Sequence, residues 1–163
     1  MADVYVGVGS NIEPERHLKL AVAALEERFG GLRRSDVFRS PAFGFSGDDF
    51  LNMIVAFATP ANPDEVEHVL SDIEYEGGRA RRAPRFSSRT LDLDLLLYGA
   101  MVDAARRVPR DDVRRYPFVL APLADLAPDL PHPLTGRTMR QEWRSMSACG
   151  PSLVRLGDLD AQP

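Results

Sequence analysis

Arg89-Thr90-Leu91-Asp92-Leu93-Asp94-Leu95-Leu96-Leu97-Tyr98 is the stretch on which the fold turns. Leucine and aspartate alternate with the period of a β-strand, so Asp92 and Asp94 share one face, about 6.5–7 Å apart. On strict alternation Leu91, Leu93, Leu95 and Leu97 face the other way, and the Asp face turns apolar at Leu96 and Tyr98. Such a strand passes from a polar rim into a core. Two carboxylates side by side at its entrance repel each other and lose hydration. A cation between them relieves both costs, and all-oxygen donors suit magnesium. An edge strand with two solvated aspartates on its wet face would show the same pattern.

The residues just upstream favour the cation. Between residues 79 and 89 stand Arg79, Arg81, Arg82, Arg85 and Arg89 and no acid, a local charge of +5 in a chain of net charge −4. Carboxylates that hold a metal, beside guanidinium forks that clamp phosphate oxygens, are what a metal–polyphosphate complex requires. The chain has 19 arginines and one lysine. That preference explains why these cations are Arg, but not why five fall within eleven positions.

Further from this segment, apolar residues 4–8 form a strand ending at Gly9, and Ser10 or Asn11 can cap the helix that Pro14 opens. Leu18, Ala21, Val22 and Leu25 make its buried stripe, and Gly30-Gly31 end it. Residues 32–39 are extended, 40–49 a loop and 50–59 a strand. Asn62-Pro63 begins a second helix with Val66, Val69, Leu70 and Ile73 on one face, stopped by Gly77-Gly78. Short helices are expected at 120–126 and 139–146. The order strand, helix, strand, strand, helix, strand predicts an α/β (α+β) fold, a ferredoxin-like sandwich of mainly antiparallel sheet with helices packed on it.

A chain of 163 residues, 44% of them hydrophobic, suits a single domain over 1–163 with a full core. The pI near 5.4 argues against a general nucleic-acid binder. The lone Cys149 excludes an internal disulfide and suits a reducing cytoplasm. No apolar run reaches membrane-span length, and the N-terminus lacks a signal-peptide layout, so a cytoplasmic protein without membrane association is expected. His17, His68 and His132 lie far apart, which disfavours a zinc site. Gly7-Val8-Gly9-Ser10-Asn11-Ile12 starts like a dinucleotide fingerprint but has Ile12 where the third glycine belongs. With no Walker A motif and no protein-kinase signatures, any phosphate site here belongs to neither fold.

Several segments together resemble one family, the 6-hydroxymethyl-7,8-dihydropterin pyrophosphokinases of folate biosynthesis. They are Val8-Gly9-Ser10-Asn11, Arg39-Ser40-Pro41-Ala42-Phe43-Gly44, Asp49-Phe50-Leu51-Asn52, Glu74 with Gly78-Arg79, Arg89-Thr90-Leu91-Asp92-Leu93-Asp94-Leu95, and Val108-Pro109 followed by Phe118-Val119-Leu120-Ala121-Pro122-Leu123. The resemblance runs to about residue 131 and implies a cytoplasmic transferase that moves the pyrophosphoryl group of ATP onto the pterin hydroxymethyl group and releases AMP. It implies that Asp92 and Asp94 hold two Mg2+ ions, and that Arg79, Arg81 and Arg89 clamp phosphates as catalytic residues. Glu74, Leu95, Arg106 and Arg110 would join those arginines around ATP. Ser40, Pro41, Phe43, Phe50, Asn52 and Phe118 match positions around the pterin, where rings can stack and an amide can meet the pyrimidine-like edge.

The chain also departs from that pattern. Phe86-Ser87-Ser88 replaces the usual Trp-Gly-Pro, Arg110-Asp111 replaces a His-Tyr pair that contacts ATP, and Tyr116 aligns with an ATP-contacting arginine. These departures cluster on the nucleotide side. They motivate a second reading, a paralogue that binds pterin or nucleotide with little or no turnover. A third, an RNA-binding ferredoxin-like module, fits the fold but neither the pI nor the aromatic pattern such modules need. The expected partners are thus ATP and the reduced pterin, with no nucleic acid, and the expected state is a monomer.

Overall fold

The structure, a computed structural model, describes residues 1–78, 91–147 and 153–163. Expectations for Arg79, Arg81 and Arg89 therefore lie outside the described residues. The strands are β1 (Ala2–Ser10), β2 (Arg33–Arg34), β3 (Val37–Ser40), β4 (Phe50–Thr59), β5 (Asp92–Tyr98) and β6 (Val154–Gly157). The helices are α1 (Pro14–Phe29), α2 (Pro63–Glu76), α3 (Asp112–Arg115), α4 (Pro117–Leu126) and α5 (Met139–Ser147), and a 3-10 turn, Leu159–Ala161, closes the chain. The sheet runs β5-β1-β4-β3-β6, with β2 also on β4, and its pairings are antiparallel. Its first four strands have the order of a split βαβ sandwich, as the sequence predicts.

Period-2 side-chain placement gives the sheet two different faces. Val4, Val6 and Val8 of β1, Leu51, Met53, Val55 and Phe57 of β4, and Leu93 and Leu95 of β5 form one core with Leu18 and Leu25 of α1 and Val66, Leu70 and Ile73 of α2. Each such side chain stabilises the fold by roughly 1.5–3 kcal/mol on burial. On the opposite face Tyr5, Ile54, Ala56, Leu96 and Leu97 meet Leu120 and Leu123 of α4 and Met139 ahead of Trp143 on α5. Helices therefore cover both faces, but α4 and α5 cover only part of the second. The residues left facing outward there include Asp92 and Asp94.

Strict alternation fails in β5. Gly7 pairs with Asp94 and Val6 with Leu95, but Tyr5 pairs with Leu97, leaving Leu96 as an extra residue. This bulge turns Leu97 into the second core beside Leu96. It also returns Tyr98 to the first core, where its hydroxyl donates to the Ala61 carbonyl at 2.6 Å. The expectation that Leu97 shares a face with Leu91, and Tyr98 with the aspartates, is corrected by that single inserted residue.

Three further local features differ from the sequence reading. Neither Ser10 nor Asn11 caps α1: the cap residue is Glu13, in the left-handed region at φ 43°, with Pro14 following. Ser10 Oγ accepts instead from the Ile12 N–H at 3.4 Å, and Asn11 Nδ2 donates to the Asp48 carbonyl at 3.2 Å. The extended stretch 32–39 divides into β2 and β3 at Ser35, whose hydroxyl accepts from the Ile54 N–H at 2.9 Å where a ladder carbonyl would otherwise serve. β6 is half exposed, and its four residues are too few, and do not alternate in burial, to announce a strand.

Candidate active site

A cavity of about 320 Å³ opens on the uncovered part of the second face. Its floor is the sheet itself, at Gly7 and Gly9 of β1, Asn52 of β4, and Asp92 and Asp94 of β5. Gly7 and Gly9 bring no side chain into this space. A Cβ on Gly9 would stand 3.0 Å from Asn52 Oδ1, closer than ordinary contact. Asn52 Nδ2 donates to Ser40 Oγ at 2.8 Å, so the neighbouring strands β3 and β4 orient that amide mutually.

Aromatic side chains form the walls. Tyr116 stacks on Phe118 with ring centroids 5.0 Å apart and planes 13° from parallel. Phe43 meets the Tyr116 ring edge-on at 5.3 Å, and Phe45 meets Phe50 edge-on at 6.2 Å. Phe43 is half exposed. Among the residues expected around a pterin, Ser40, Pro41, Phe43, Phe50, Asn52 and Phe118 all line this one cavity. A flat heterocycle between rings, with an amide at its edge, suits such a space.

Asp92 and Asp94 stand at the polar end. The Asp94 carboxyl is pushed up to about 7, chiefly by burial away from water and then by the charge of Asp92, with Arg110 opposing. Arg110 Nη2 lies 3.4 Å from Asp94 Oδ1, and its Nε donates to Asp112 Oδ2 at 3.2 Å. The β5 bulge explains this placement: the Leu96 carbonyl accepts the Arg110 N–H at 2.9 Å, docking the segment before α3 beside the aspartates. Arg110 also borders a second concavity of about 290 Å³ that it shares with Arg114, Arg115 and His132.

The remaining expected residues are dispersed. Glu74 Oε1 accepts from the Leu93 N–H at 2.7 Å, holding the strand between the two aspartates from behind. Leu95 is buried in the first core and does not line the cavity. Arg106 pairs with Asp64 and, at 3.3 Å, with Asp103, outside the cavity lining. Sequence reasoning missed Phe45, Arg107 and Asp112 as lining residues, and it aligned Tyr116 with an ATP-contacting position, whereas Tyr116 stacks on Phe118 in the aromatic wall. Asp112 carried a signal, since it lies two positions after Arg110, but it reads as a surface partner until the bulge is known.

Among the described residues no cluster of three or more His, Cys, Asp or Glu side chains could hold a metal ion. Two carboxylates at a cavity rim nevertheless fit magnesium, which is commonly held by one or two carboxylates, with substrate phosphates and water completing its shell. The fit rests on the donor chemistry of Asp92 and Asp94 and on the cationic guanidinium already drawn to Asp94. No helix among the described residues is long and apolar enough to cross a membrane.

Comparison with known proteins identifies the family. A relative from Synechocystis named 2-amino-4-hydroxy-6-hydroxymethyldihydropteridine pyrophosphokinase is 38% identical over 141 residues, covering 83% of this chain and 72% of its own. Relatives with the same name from Methylorubrum extorquens and Pseudomonas aeruginosa are 36% and 40% identical, covering 92% and 78% of this chain and 97% and 82% of their own. The HPPK-DHPS protein of Plasmodium falciparum superposes with a TM-score of 0.68 at 12% identity, over 89% of this chain and 43% of that one, so this chain spans less than half of it and the likeness bears on the fold alone. Residues 5–128 match the model of the 7,8-dihydro-6-hydroxymethylpterin-pyrophosphokinase family, and the chain belongs to that family.

Proposed function

We propose that the cavity over β1, β4 and β5 is where the transfer takes place, with the reduced pterin between the aromatic walls and the triphosphate of ATP at the Asp end. As a family member the protein is a transferase, a pyrophosphokinase of folate biosynthesis that uses ATP as co-substrate and places a pyrophosphoryl group on 6-hydroxymethyl-7,8-dihydropterin. The observation that carries the placement is the convergence of Asp92, Asp94, Asn52, Phe50 and Phe118 on one cavity.

In this reading Phe50, Phe118 and Phe43 hold the pterin ring, and Asn52, fixed by Ser40, meets its polar edge beside Pro41. Asp92 and Asp94 would hold two Mg2+ ions, which neutralise the triphosphate and polarise the β-phosphorus when bound. Arg79, Arg81 and Arg89 clamp phosphate oxygens and stabilise charge on the leaving AMP, and Arg110 adds a further cation at the Asp end. Leu95 and Arg106 belong to the nucleotide side by family position, and Glu74 keeps β5 in place behind it. The pterin hydroxyl oxygen forms a bond to the β-phosphorus while the bond from that phosphorus to the α-phosphate oxygen breaks. No residue stands out as a dedicated general base, and a carboxylate of the Asp pair or a water at the metal site would take the hydroxyl proton. Positioning and electrostatics do most of this work, because the reacting groups need only be held in line.

We read residues 1–163 as one cytoplasmic domain acting as a monomer on small molecules, without nucleic acid or membrane. Incubation with ATP, magnesium and the reduced pterin should release AMP in step with pterin diphosphate. Intact pterin binding without AMP would support a non-catalytic paralogue instead.

A further inference from the structure

Arg110 stands where the family pattern has histidine, and its side chain has two carboxylate partners with different geometries. Its Nε is hydrogen-bonded to Asp112, whose side chain is 14% exposed, whereas its Nη2 approaches Asp94 at 3.4 Å. The backbone at this residue is fixed independently, through the N–H given to the Leu96 carbonyl. A planar guanidinium can keep one edge on a carboxylate while the other is exchanged between partners. Its charge is permanent, unlike that of a histidine near neutral pH.

We propose that Arg110 is a tethered counter-cation of the Asp92–Asp94 pair, which yields Asp94 to a divalent cation when nucleotide binds and turns, hinged on Asp112, toward the phosphates. This rests on the transfer-site reading and adds a positioning role that a histidine would fill only when protonated. Without nucleotide, Arg110 neutralises Asp94 and opposes metal entry. With nucleotide present, the same charge favours the complex. One residue thus has opposite effects on metal alone and on metal with nucleotide, so the pair loads together.

The test titrates the whole protein with Mn2+ alone, read by the paramagnetic resonance signal of free Mn2+, and with the preformed Mn2+ complex of a non-hydrolysable ATP analogue, read by calorimetry. Arg110→Gln should bind Mn2+ alone roughly tenfold more tightly than the parent, the scale expected for removing one charge a few ångströms away. It should bind the Mn2+–analogue complex roughly tenfold less tightly, through loss of a charge-assisted contact. Arg110→Lys, which keeps the charge, should stay near the parent for Mn2+ alone. If Arg110→Gln bound Mn2+ alone no more tightly than the parent, or if Arg110→Lys bound it as tightly as Arg110→Gln, the counter-cation role would be wrong and the transfer-site reading would stand. Failure of the parent protein to bind Mn2+ even with the analogue would overturn both.

Discussion

Asp94 sits close to Asp92 and Arg110, with Asp112 on the far side of the guanidinium, and its titration is the property most open to direct test. An aspartate in an unfolded chain titrates near 3.9, whereas burial and Asp92 raise Asp94 to about 7 in the fold. The folded state therefore holds an extra proton between those values. The stability this proton confers is fully present below about pH 4 and is lost as the pH rises through 7, at up to about 1.4 kcal/mol per pH unit for one group. Urea unfolding in metal-free buffer should show Asp94→Asn gaining stability over the parent as pH goes from 4 to 7.5. A constant difference across that range would remove the strained carboxylate from the account. At this scale the sequence was informative about residue types: Asp92 and Asp94 announce themselves by alternation and charge. It said little about Asp112 and Tyr116, whose place in the cavity depends on chain segments brought in from elsewhere.

Elements were legible where a local signal exists. The α2 start was readable from Asn62-Pro63 because capping is local chemistry, and the structure shows the full reciprocal arrangement. Asn62 Oδ1 accepts from the Glu65 N–H at 2.9 Å, and Glu65 Oε2 accepts from the Asn62 N–H at 2.7 Å. Asn62→Ala should cost about 1 kcal/mol of stability. It should leave pterin affinity unchanged, since this cap lies on the helix side of the sheet, away from the cavity. An unchanged unfolding midpoint would mean that the cap is replaced by water. The β5 bulge was not legible, because the seven alternating or apolar residues of β5 read alike with or without one insertion; only the pairing with β1 selects it. β6 was missed for a related reason, since its pairing with β3 rather than its own composition makes it a strand. The consequence is functional: the bulge carbonyl that binds the Arg110 N–H brings the α3 segment to the Asp pair.

For the molecule as a whole, one face of the sheet serves stability and the other serves chemistry. The face of β1, β4 and β5 toward α1 and α2 is filled by aliphatic side chains from those helices. The other side is half covered by α4 and α5, and what remains is the cavity. The order of strands and helices made the sandwich readable, but helices on both faces were not foreseen as the frame of a site. Asp92 and Asp94 can change without touching the first core, so function and folding should separate cleanly. The most direct measurement is AMP release by Asp92→Asn under saturating magnesium, ATP and reduced pterin, alongside its unfolding midpoint. Losing a metal ligand that supplies several kcal/mol of charge stabilisation should slow release at least about 100-fold, with the midpoint at or above that of the parent. AMP release at the parent rate would contradict the assignment of the transfer to this carboxylate pair.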